Sequence, residues 1–162
     1  MLVTKIILIM VSTVSYNCHG LGPGKMDYIA KICKNHQFIL IQEHWLISEN
    51  LGIFSSEIPG FSAHGISALD SNELLRGRPN GGCSISWNSK LMCKVTPVES
   101  GNSRVCAVIV DFSGLKLLLV NFYLPIDTYH DQNNLLEYNH ALNSASGIAG
   151  NLDIDYVIYG SD

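Results

Sequence analysis

Four apolar runs in this 162-residue chain stop abruptly on polar side chains, and those side chains are the ones with chemistry to offer. "VSTVSYN" stops on Tyr16-Asn17, "FILIQEHWL" turns polar at Gln42-Glu43-His44-Trp45, "LLLVNFYLP" carries Asn121 and Tyr123, and "DYVIYGSD" stops on Ser161-Asp162. If such runs are strands with parallel neighbours, their carboxyl ends line one crevice, the usual place for a ligand. That crevice would gather two carboxylates, a carboxamide and a phenol. Oxygen donors of this kind suit Mg²⁺ or Mn²⁺ rather than zinc, and Glu43 is the candidate direct ligand, with Asn17 holding the carboxylate or a bound water. Phosphodiester hydrolysis is the reaction these groups fit: Asp162 to orient or deprotonate water, and the Tyr123 hydroxyl to donate to a phosphate oxygen or leaving group. Arg78, Asn80 and Asn121 are the candidate substrate contacts.

Taken singly, each residue has a plainer reading. Glu43 is then a solvated strand end, Tyr123 a rim aromatic, Asn17 a residue serving a glycine-rich turn, and Asp162 a frayed terminus. Arg76, Arg78 and Asn80 in "RGRPNGG" fit a DNA-backbone contact and a solvated glycine hairpin equally well. Trp45 and Trp87 read as packing residues, and His19 as a rim residue without a catalytic role. Convergence of four strand ends is what favours a site.

The elements that must position these groups follow from periodicity. Residues 8–17 read as a first strand, "HGLGPGK" as a turn, and "MDYIAKICKNH" as a helix with Ile29, Ile32 and Cys33 on one face and Tyr28 beside them. "FILIQ" is the second strand, and a strand-helix-strand opening favours parallel pairing. "FSAHGIS", "GGCSISWN", "LMCKVTPV", "SRVCAVIVDF" and "LKLLLVNFYLP" read as strands joined mainly by hairpins, with Ser113-Gly114 as a tight turn. "DTYHDQNNLLEYNHALNSASG" predicts the long helix, capped by Asp131 and facing inward with Leu135, Leu136, Tyr138 and Leu142. "DYVIYGSD" closes the chain as a buried strand. The order implies an α/β (α+β) fold of two mixed sheets packed together with helices outside.

Composition sets outer bounds. A length of 162 residues with 47% hydrophobic content supports one domain with a real core. A formal net charge of -4 excludes a generally basic nucleic-acid coat, though not a local basic patch. Five cysteines without a C-x-x-C pair argue for reduced thiols in an intracellular protein rather than for a disulfide framework or zinc site. Lys5 followed by "IILIMVSTVS" reads either as the start of the first strand or as a secretory signal, the latter implying a secreted protein.

"SYNCHGL", "LIQEHWL", "GRPNGGCSISW", "VNFYLP" and "YVIYGSD", in this order and spacing, resemble the endonuclease/exonuclease/phosphatase superfamily, and in particular the apurinic-type endonuclease domain of non-LTR retrotransposons. The resemblance implies a four-layer α/β/β/α sandwich over residues 8–162, with 1–7 as an extension or strand start, and Mg²⁺- or Mn²⁺-dependent cleavage of DNA phosphodiesters. It implies a nuclear setting and a reverse transcriptase domain in the longer protein. Matched by motif, Asn17 and Glu43 belong to the metal region, Tyr123 to the phosphate-contacting tyrosine, and Asp162 to the aspartate of a Gly-Asp-x-Asn motif. Ser161 stands in place of that motif's glycine, Ile126 where an asparagine is common, and neither the motif's asparagine nor the distal Ser-Asp-His is in the sequence. The pattern is therefore that of the first two-thirds of a domain, truncated at the carboxyl end and expected to be inactive alone. Alternatives are a non-catalytic degenerate fragment, or a superfamily phosphodiesterase acting on another phosphate ester.

Overall fold

The computed structural model describes residues 10–67, 69, 81–125 and 132–161. In chain order these form β1 (Thr13–Asn17), α1 (Lys25–Cys33), β2 (Phe38–Gln42), a 3-10 turn (Ser48–Asn50), α2 (Ile53–Ser56), β3 (Phe61–Ile66), β4 (Cys83–Asn88), β5 (Lys94–Val98), β6 (Val105–Phe112), β7 (Leu115–Phe122), α3 (Gln132–Gly150) and β8 (Tyr156–Gly160). They make two four-stranded sheets, ordered β1-β2-β4-β3 and β5-β6-β7-β8. Both are mixed: β1 runs parallel to β2 and β7 to β8, and the other pairs are antiparallel.

Alternation along the strands distributes the apolar side chains among three cores, because successive side chains point to opposite faces. Phe38, Leu40, Ile85, Val108, Val110, Leu117 and Leu119 fill the space between the sheets. Ile39 and Ile41, the other face of β2, pack with Ile29, Cys33 and Phe54 of α1 and α2. Leu118, Val120 and Phe122, the other face of β7, pack with Ala141, Ala145 and Ile148 of α3. The layers are thus helix, sheet, sheet, helix, as the sequence implies.

Three expectations change. The first strand begins at Thr13, with residues 10–12 outside it. The long helix turns a different face inward: Ala141, Ala145 and Ile148 are buried, while Leu135, Leu136 and Leu142 are 50%, 68% and 41% exposed. Small alanines let the helix sit close on the sheet, and the leucines fall on the far side. Among the described residues the last strand is an exposed edge, with Tyr156, Val157 and Tyr159 open to solvent and β7 as its strand neighbour.

The β6–β7 hairpin turns on Ser113 and Gly114, both at positive φ, with Asp111 Oδ1 accepting from the Gly114 amide. All five cysteines are free thiols, and Cys18, Cys33, Cys83 and Cys106 are buried. Burial pushes Cys18 and Cys33 up to about 11 and Cys106 up to about 12. No described helix is long and apolar enough to cross a membrane. Residues 1–9 and the expected cap Asp131 lie outside the described residues.

Candidate active site

The carboxyl ends of β1, β2, β7 and β8 come together at one end of the sandwich. Asn17 pairs in register with Gln42, and Asn121 with Gly160, which aligns the ends within each sheet. Across the sheets the Gln42 amide donates to Asn121 Oδ1 at 2.5 Å, and Ser15 Oγ donates to the Ser161 carbonyl at 3.4 Å. Gly160 lies so close to the first sheet that a Cβ there would stand 2.5 Å from Leu40 Cδ2. The close approach explains a glycine at the end of an otherwise bulky strand.

Glu43 follows β2 directly and is held on both oxygens. Asn17 Nδ2 donates to Oε1 at 2.7 Å, the Trp45 indole N–H donates to Oε2 at 3.2 Å, and His19 Nδ1 stands 3.4 Å from Oε2. The Glu43 side chain is 13% exposed, while that of His19 is 79% exposed and its ring leans on Trp45 at 5.0 Å between centroids. The His19 amide donates to Asn17 Oδ1 at 2.9 Å, so the same carboxamide places both the acid and the imidazole beside it.

The loop that presents Glu43 is over-determined. Glu43 and Trp45 have φ of 52° and 58°, a region that costs a non-glycine residue about 1–2 kcal/mol. Backbone bonds from Cys18, Gly20 and Leu21 to the carbonyls of Gln42, Glu43 and His44, and from Trp45 to Gly81, hold that geometry. Its two rings are wedged against glycines at positive φ: a Cβ on Gly20 would stand 2.3 Å from the Trp45 ring, and one on Gly82 2.3 Å from the His44 ring. His44 itself is fully buried, edge-on to Phe54, with Nδ1 accepting from the Leu46 amide. Its Nε2 therefore carries the proton, without a well-aligned acceptor. Desolvation holds this imidazole well below its ordinary value, at about 4, so it is neutral.

Beneath the crevice runs a buried polar layer. Asn121 Nδ2 donates to the carbonyls of Ile41 and Ser84, both at 2.8 Å, and Gln42 also donates to Ser15 Oγ at 2.8 Å. Asn121 is fully buried. It ties the sheets together from a buried position, where the sequence reading expects a substrate contact. Tyr123, two residues on and on the same face, packs against the inter-sheet core. Its amide donates to the Arg104 carbonyl, and the Arg104 guanidinium lies 5.4 Å from its ring centroid while pairing with Glu137.

Asn17 and Glu43 are thus brought into contact, and Tyr123 follows the strand that Gln42 and Asn121 tie to them. Asp162, Arg78 and Asn80, with Arg76, lie outside the described residues. His19 and Trp45 were missed as neighbours of Glu43, because positive-φ loop geometry leaves no periodic trace. Among the described residues no three His, Cys, Asp or Glu side chains cluster as a metal cage. A buried-rim carboxylate with a carboxamide beside it still fits Mg²⁺ or Mn²⁺, which take one or two carboxylates and fill the remaining positions with water and phosphate oxygens.

Neither a protein-family model nor a curated protein matches the sequence. Solved structures do match. The endonuclease domain of TRAS1, a telomere-specific non-LTR retrotransposon, aligns with a TM-score of 0.64 at 12% identity, over 94% of this chain and 59% of that one. The Xenopus laevis APE2 catalytic domain aligns with a TM-score of 0.64 at 14% identity, over 94% and 58%. An endonuclease/exonuclease/phosphatase family protein from Leptotrichia buccalis aligns with a TM-score of 0.57 at 14% identity, over 94% and 66%. The chain therefore has the endonuclease/exonuclease/phosphatase fold and spans about three-fifths of the length of the solved structures it matches.

Proposed function

We propose that this chain belongs to a divalent-metal-dependent phosphodiesterase that nicks DNA, of the kind carried by non-LTR retrotransposons beside a reverse transcriptase, and that it acts on nuclear DNA. The observation that carries the reading is Glu43. A carboxylate at a strand end, held on a loop with two positive-φ residues by Asn17 and Trp45, is costly to build and has no packing purpose. The fold it stands on is shared with the endonuclease domain of TRAS1.

In this reading Glu43 and Asn17 hold the ion. When bound, it neutralises charge that builds on the phosphoryl oxygens. Asn17 fixes the carboxylate through Oε1, and the Trp45 indole steadies Oε2, the oxygen nearest His19. The Tyr123 hydroxyl donates to a phosphate oxygen, and Asp162 accepts the proton of the attacking water. Arg78 and Asn80 contact the DNA backbone. The net charge of -4 makes such local contacts, and not a general field, responsible for binding.

A supercoiled-plasmid nicking assay with Mg²⁺ or Mn²⁺ tests this on the chain, on the chain continued through its reading frame, and on Glu43→Ala in both. Nicking that falls by at least about a hundredfold in Glu43→Ala is the expected result. No nicking by any form that circular dichroism shows to be folded would remove the nuclease reading and leave a non-catalytic fold or one acting on another phosphate ester.

A further inference from the structure

We propose that His19 Nδ1 and Glu43 Oε2 are two donors to one divalent cation, so that this centre prefers Mn²⁺ to Mg²⁺. The inference rests on Glu43 as the metal-holding carboxylate and adds a nitrogen ligand that an all-oxygen site lacks.

The separation of the two atoms is the first ground. At 3.4 Å the pair is longer than the about 2.7–2.9 Å of a charge-assisted hydrogen bond. Two ligands on one ion, each at about 2.0–2.2 Å, stand about 3.0–3.5 Å apart. The pair is too long for a direct hydrogen bond and has a spacing that two ligands of one ion also have.

Positioning is the second ground. A side chain 79% exposed is ordinarily free to wander, but this one is placed from four sides. Its amide donates to Asn17 Oδ1, its carbonyl accepts from Lys25 Nζ at 3.0 Å, its ring rests on Trp45, and its own φ is 45°. The Lys25 ammonium also reaches the Cys18 carbonyl, so its charge is directed at backbone oxygens. Asn17 serves both donors at once, one amide atom toward Glu43 and the other toward His19.

Chemistry then sets the preference. Mg²⁺ demands near-ideal octahedral oxygen surroundings, whereas first-row ions accept imidazole beside carboxylate.

The test uses the full chain and direct binding, not turnover. Calorimetric titration with Mn²⁺ and with Mg²⁺ is expected to show Mn²⁺ binding at least about tenfold tighter. His19→Asn, which keeps a polar side chain, is expected to lower Mn²⁺ affinity about tenfold and to leave Mg²⁺ affinity within about twofold. Pulsed electron paramagnetic resonance of the Mn²⁺-loaded protein is expected to show the nitrogen coupling of one bound imidazole, absent in His19→Asn. An unchanged Mn²⁺ to Mg²⁺ ratio in that variant, or no nitrogen coupling in the parent, overturns the proposal. Folded Glu43→Gln that binds both ions as well as the parent overturns the metal centre and this inference with it. His19-dependent Mn²⁺ binding in a protein that cleaves no phosphodiester supports the inference and removes only the nuclease reading.

Discussion

In each sheet an edge strand runs parallel to its neighbour through a helical crossover, and the next two strands are antiparallel: β1-β2-β4-β3 in one, β8-β7-β6-β5 in the other. The two plans place their parallel pairs one over the other, yet the pairs are unlike in what holds them. Every residue of β2 is buried, and the loop beyond it is locked by two rings, two glycines and four backbone bonds. In β8 only Gly160 is buried, and two tyrosines and a valine face solvent. With each fully buried large apolar side chain worth about 1.5–3 kcal/mol, the β1–β2 corner is far the more firmly built. Among the described residues, the same architecture therefore makes one corner that holds a strained carboxylate and another that is loosely packed.

The largest effect should come from unlocking the firm corner. Gly82→Ala drives a methyl into the His44 ring at a φ of 84°, combining overpacking with a disfavoured backbone. A loss of about 3–5 kcal/mol is expected in urea unfolding, and a loss under about 1 kcal/mol would show that the ring does not hold the loop.

Acid attacks the same ring more gently. His44 is depressed in the folded chain, from 6.5 to about 4, so the unfolded chain binds more protons between those values. The stability it contributes is complete above pH 6.5 and falls as pH drops toward 4, by roughly 3 kcal/mol. His64 is depressed by burial too and acts with the same sign. Urea midpoints measured from pH 7 to pH 4.5 should decline accordingly, and a flat profile would mean that His44 is not kept neutral by burial.

The smallest effect belongs to the loose corner. Tyr156 is 62% exposed on an edge strand, so Tyr156→Lys should change stability by no more than about 0.5 kcal/mol while reducing association seen by light scattering. A loss above about 2 kcal/mol would show that this strand is packed after all, and would erase the contrast between the corners.

What could be read from the sequence follows the same division. β2 and β7 were legible because apolar runs such as Phe38-Ile39-Leu40-Ile41 and Leu117-Leu118-Leu119-Val120, bounded by polar residues, leave few alternatives. The meeting of Asn17 and Glu43 was legible because both stand at the carboxyl ends of apolar strands. The burial of Asn121 was legible too: it alternates in step with Leu117 and Leu119, so it had to face the inter-sheet core. The inward face of α3 was misread because leucines outweigh alanines in any hydrophobic count, whereas close packing on a sheet selects the smaller residue. The partners of Glu43 were illegible. His19 and Trp45 reach it through left-handed backbone at 19, 43 and 45, and nothing in their spacing announces that geometry.

The buried thiols give the chain a gauge of its own folding. Cys18, Cys33, Cys83 and Cys106 are buried, and burial pushes three of them up to about 11 or 12, so they present almost no thiolate to an alkylating reagent at neutral pH. Cys93 is the one thiol left partly open. Alkylation therefore adds a single mass tag to the native chain and five to the unfolded one, so the tag count reads out how many molecules in a sample have kept their buried thiols covered.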